Sequence, residues 1–221
     1  MKKIILATAI ALCTTSALAA ETTVMKVEGT LTSSTCDVQM GNGGIFDYGT
    51  LIIRNLSATA NNKFAQRALP VTITCTAPTK VGFTMLDNRS DSNAQLPIDI
   101  AYFKNVTSKY YGYGVGKTNE GVKIGTYSLW LTGYTVDGKT GVSVINHSRD
   151  WDPDLWDYTD IPYSDGRGIL TFAKYATTSP IAFTTASFDL QTNLVIRDTD
   201  SLAITDDTVL DGQATMTLVY L

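Results

Sequence analysis

Apolar and polar positions alternate most strictly in the last residues of the chain. Ala214, Met216, Leu218 and Tyr220 fall on one face of an extended segment, and Thr215, Thr217, Val219 and Leu221 on the other. The pattern predicts a final β-strand with β-formers on both faces, suited to the middle of a sandwich, yet no sequence follows it to pair with its far edge. Met25, Val27, Gly29 and Leu31 alternate with polar residues and predict a half-buried strand near the start. Gly41, Asn42, Gly43 and Gly44 are turn material before a short strand over 45–48, and residues 51–63 read as an irregular connection. Val71, Ile73 and Cys75 share a face opposite Thr72 and Thr74, and residues 81–86 predict another strand, closed by a turn over 87–93. Between 94 and 175 the pattern loosens into Gly, Tyr and Asp. One hairpin is predicted there, with 127–136 and 141–145 flanking Asp137-Gly138. Strands return at 169–174, 181–185, 187–196 and 213–221. No segment sustains a helical period and no fixed-length repeat appears, so the expectation is an all-β sandwich forming one domain over residues 20–221.

The N-terminus adds a compartment. Lys2 and Lys3 precede a mostly apolar run over 4–12 and a small-x-small site at Ala17-Leu18-Ala19, so residues 1–19 read as a secretory signal peptide. The run is too short to span a bilayer as a permanent anchor. Removing it takes Cys13 and leaves Cys36 and Cys75, an even number in an oxidising compartment, which predicts a Cys36–Cys75 disulfide. Two free thiols or a metal pair are the weaker alternatives, because the single histidine, His147, lies far off in sequence. A formal charge of −4 over 221 residues argues against nucleic-acid binding, and 44% hydrophobic residues suffice for a core.

Little else carries chemistry. Gly116-Lys117-Thr118 hints at a phosphate loop, but the first glycine it requires would stand at Tyr111. Asp150, Asp152, Asp154, Asp157 and Asp160 suggest a calcium loop, but Leu155 and Ile161 occupy the positions where its glycine and final glutamate belong; a solvated acidic loop fits better. No catalytic residue, metal or cofactor is expected. All three tryptophans and several tyrosines crowd into the middle region, and Tyr111, Tyr113, Trp130, Trp151 and Trp156 are the candidate contacts for a glycan or protein receptor, against the commoner use of such rings in cores.

Gly29 seven positions before Cys36, Ile45-Phe46-Asp47-Tyr48-Gly49, the 71–75 strand ending in Cys75, and a C-terminal strand with penultimate Tyr220 together resemble the pilin subunits of chaperone/usher fimbriae, in particular the larger fimbrial-like proteins. The resemblance covers roughly 24–86 and 188–221. It implies an incomplete immunoglobulin-like sandwich, lacking its last strand, with an aromatic and Gly-rich middle region. It further implies a periplasmic chaperone, an outer-membrane usher and other fimbrial subunits as partners, and export through the periplasm to a surface fimbrium. Ala214, Met216, Leu218, Tyr220 and Leu221 would form the edge that meets the chaperone or donor strand. A groove of about 8–10 residues needs a donor of about 30 Å, whereas residues 20–23 reach only about 13 Å, so a subunit that accepts a strand but donates poorly, at or near the tip, is expected. The alternatives are a stand-alone exported carbohydrate-binding protein and, less favoured, a glycoside hydrolase using the middle-region carboxylates.

Overall fold

The computed structural model describes residues 25–27, 34–148, 155–204 and 207–221. The chain divides into two units, Met1–Ser33 and Ser34–Leu221. In the first, residues 25–27 are not in a strand, and Met25 and Val27 are exposed; the signal peptide and the rest of the expected first strand lie outside the described residues. Alternation assigns side chains to faces but supplies no ladder partner, and none is present at these three positions.

The second unit contains β1 (Cys36–Met40), β2 (Asn62–Lys63), β3 (Arg67–Thr79), β4 (Val81–Asp87), β5 (Ile98–Ile100), β6 (Phe103–Val106), β7 (Gly112–Gly114), β8 (Gly125–Val136), β9 (Val142–Ser148), β10 (Trp156–Tyr158), β11 (Gly168–Lys174), β12 (Phe183–Ile196) and β13 (Ala214–Tyr220). One sheet runs in the order β1-β3-β12-β8-β7, with β2 at the end of β12; the other runs β10-β9-β11-β4-β13; β5 and β6 form a separate hairpin. Every pairing is antiparallel. The protein is an all-β sandwich.

Period-two patterning puts Leu69, Val71, Ile73 and Cys75 of β3 and Val81, Phe83 and Met85 of β4 inward. Phenylalanines lock the sheets together. Phe83 stacks on Phe188 with centroids 5.5 Å apart, and Phe172 meets Phe183 edge-on at 5.8 Å. A second core lies on the outer face of the first sheet, where Trp130 of β8 and Val195 of β12 pack with Leu96, Ile98, Ile100 and Ile161 under the β5–β6 hairpin. Central strands β8 and β12 are therefore covered on both faces. Gly82 is required where β4 meets β11, since a Cβ there would press on the Leu170 carbonyl.

Three local expectations change. The Asp137-Gly138 turn forms, with both residues at positive φ, but β8 and β9 enter different sheets instead of pairing as a hairpin. Asp137 explains the switch: its carboxylate accepts from the Thr184 and Thr185 amides and its own N–H donates to the Thr185 carbonyl, which holds the turn against β12 while the chain crosses over. Residues 45–48 form no strand, and the two strands expected over 181–196 are one, β12, with irregular register near Phe183 and Ser187.

Cys36 and Cys75 stand opposite each other in the β1–β3 ladder and are bonded. Five residues paired on one side make β1 a weak element by itself, and the bond fixes it. Closing a loop of 39 residues is worth about 4 kcal/mol by the chain-entropy relation. Replacing both cysteines by serine should lower the unfolding free energy by about 2–4 kcal/mol in urea titration at unchanged pH.

Candidate functional site

The open flank of the sandwich is the most unusual part of its surface. Here stand the edge strands of the two sheets, β1 and β13. They touch where the Cys36 amide donates to the Tyr220 hydroxyl at 2.8 Å, and just beyond β13 the Leu221 amide donates to the carbonyl of Lys80, between β3 and β4. Strand β13 pairs along its whole length with β4, from Ala214 opposite Asp87 to Tyr220 opposite Val81, and among the described residues no strand pairs with its other edge. Its outer N–H and C=O groups are a ready template for another strand.

Ala214, Met216 and Leu218 point into the main core, as their alternation predicts, yet each remains only half-buried, as do Val38 and Met40 of β1. At the Ala214 end of β13 and the Met40 end of β1 a cavity of about 990 Å³ opens, lined deeper in by Met85, Tyr127, Leu129, Leu190, Leu194 and Ile196. Burial raises the Tyr127 phenol far above its ordinary value, so it stays neutral at the groove floor. Residues 45–56 cross the mouth without forming a strand. Tyr48 anchors them, edge-on to Phe64 at 6.3 Å and beneath the Arg67 guanidinium. Ile45 is 61% exposed and Val209 77%, and both line the cavity. Tyr220 shares the inward parity of the strand but is exposed, because its ring reaches across to β1.

The structure distributes the aromatic candidates differently from a single patch. Tyr113 is fully buried, stacked on Tyr127 at 5.0 Å, with its hydroxyl donating to the Tyr163 carbonyl. Trp130 is buried in the second core. Neither ring face can meet a ligand: Trp130 lies under the layer that covers the outer face of β8, and Tyr113 of β7 faces the main core. Tyr111 is half-buried at the border of that core and stacks on Tyr163 at 5.1 Å, and burial together with the Tyr163 hydroxyl pushes its phenol upward. Beside it, Arg167 lies 4.1 Å over the Tyr110 ring and pairs with Asp165. Trp156 is half-buried against His147 in β10, and Trp151 lies outside the described residues. Sequence patterning missed Ile45, Ile52, Ile53 and Val209 at the groove rim. The run Leu51-Ile52-Ile53 inside an otherwise polar connection was the available signal.

The family described as "Protein of unknown function (DUF1120)" matches residues 25–128 of this chain. Two proteins of Escherichia coli (strain K12) are similar over nearly their whole length. "Uncharacterized protein YhcF" is 25% identical over 228 residues, covering 93% of each chain. "Protein GltF" is 28% identical over 237 residues, covering 93% of this chain and 92% of its own.

The Cys36–Tyr220 contact is the only hydrogen bond described between β1 and β13, and it is solvent-accessible. Tyr220→Phe should therefore cost about 0.5–1 kcal/mol in chemical denaturation, with native circular dichroism retained.

Proposed function

We propose that this chain is a structural subunit of a chaperone/usher-type fimbria: an exported, incomplete immunoglobulin-like sandwich that accepts a strand from another polypeptide along β13, placed at or near the fibre tip. The observation that carries the reading is the free edge of β13, with an apolar groove opening at its Ala214 end. An inserted strand would satisfy the edge amides and carbonyls and set alternate side chains on Met85, Leu190 and Ile196. Covering about 400 Å² of apolar surface at about 25 cal/mol per Å² contributes about 10 kcal/mol, comparable to the stability of a whole domain. An acceptor of this kind depends on its partner for solubility. A periplasmic chaperone holds it first, an outer-membrane usher receives it, and a neighbouring subunit completes it. The rival reading, a stand-alone carbohydrate-binding protein, draws on middle-region rings of which Tyr113 and Trp130 are inside the protein.

Co-expression with a fimbrial chaperone in the periplasm should give a stable one-to-one complex. Removing residues 217–221, or Leu218→Asp, should abolish the complex and lead to degradation. A truncated chain that stays monomeric and soluble alone overturns the reading. In the purified complex, a synthetic donor-strand peptide of about ten residues should displace the chaperone and quench binding of an apolar dye to the groove, whereas a peptide with Asp at one inward position should do neither.

A further inference from the structure

The flank farthest from β1 and β13 in strand order holds a smaller pocket, of about 420 Å³, between β8 and the segment that follows β10. Leu131, Thr132, Gly133 and Tyr134 form one wall, Thr140 of the following turn another, and Asp160 closes it. The frame is rigid. The Leu131 amide donates to the Asp160 carbonyl at 2.8 Å, Thr132 Oγ1 accepts from the Gln191 side chain at 2.9 Å, and Tyr134 rests on Phe172 of the main core with centroids 6.3 Å apart. Gly133 takes a left-handed conformation (φ 61°) where the β8–β12 register shifts, which brings Tyr134 back toward the pocket side of its strand.

Within this frame Asp160 is anomalous. Its Oδ1 is buried and accepts no hydrogen bond, and none of the ion pairs described in the protein includes it. A buried carboxylate oxygen without a donor costs stability, and such groups in folded proteins ordinarily have partners. Burial also pushes the Asp160 carboxyl above its ordinary value, outweighing the hydrogen bond from its own backbone amide. The other lining groups are neutral: two hydroxyls, one phenol, one leucine and a glycine.

We propose that this pocket binds a primary ammonium group, carried either by a small amine or by a lysine side chain of another protein. An ammonium supplies both what Asp160 lacks, a positive charge and a hydrogen-bond donor. A neutral sugar hydroxyl supplies only the second. A hard metal cation needs several oxygen ligands, and among the described residues Asp160 is the only carboxylate lining the pocket. Tyr134 offers a ring for the cation, the threonine hydroxyls can accept its remaining protons, and Leu131 can receive the adjoining methylene chain.

The test uses the disulfide-intact chain, held in its chaperone complex if it is insoluble alone, followed by amide NMR. n-Butylammonium chloride should shift the Leu131, Thr132, Gly133 and Thr140 amides saturably, and n-butanol should not. Asp160→Asn should weaken the effect at least about ten-fold and, by removing an uncompensated buried charge, raise the melting temperature of the unliganded protein. An N-acetylated Gly-Lys-Gly amide separates the sources. Binding at least as tight as butylammonium assigns the site to protein lysines, and failure beside a binding free amine assigns it to small amines. Equal shifts with butanol, unchanged affinity in the Asn variant, or a lowered melting temperature for that variant would each overturn the proposal.

Discussion

Every strand in a sheet has two rows of main-chain groups to satisfy, and among the described residues β13 has a partner strand for one. That constraint shapes the whole flank. The inward residues of β3, β12 and the first half of β8 are almost wholly removed from water, whereas Ala214, Met216 and Leu218, which point into the same core, are not. A side chain can be aimed at a core and still be wet if no neighbouring strand closes over it. Strand β1 stands in the same position on the other sheet and keeps its place through β3 and the Cys36–Cys75 bond. The segment 45–56 shelters part of the gap with Phe46, Tyr48 and Leu51 but leaves its isoleucines outside.

The middle of the chain belongs to the sandwich itself. Strands β7 and β8 complete the first sheet beyond β12, and β9, β10 and β11 make up most of the second; without them β4 and β13 would face the first sheet as an isolated pair. This accounts for the aromatic density of the region. A strand buried on both faces needs large side chains on both, so Tyr127 fills the main core and Trp130 the second one. Two half-buried rings are tied by neighbours, Tyr110 by Arg167 and Tyr111 by Tyr163.

Two aspartates show how burial and satisfaction separate. Asp87 is nearly inaccessible, but its carboxylate accepts from the Arg89 and Gly114 amides and thereby joins the turn after β4 to β7. Asp160 is less enclosed and has a buried oxygen with no donor. Burial raises both carboxyls, so the direction of titration alone does not distinguish them. Their hydrogen bonds do: both oxygens of Asp87 accept from backbone amides, whereas Asp160 Oδ1 has no donor.

The sequence alone determined the fold class, most strand positions, the Cys36–Cys75 pairing and the inward face of β13, because each follows from local periodicity or from counting. It also placed a tight turn at Asp137-Gly138, since positive φ at both residues is a local demand. Which sheet the strands on either side of that turn join was decided by Asp137 hydrogen-bonding to Thr184 and Thr185, residues far away in the chain. The same holds for Trp130. Its ring chemistry is legible at any position, but whether the ring faces water depends on a second layer folding over β8, and periodicity along one strand carries no information about what covers its other face.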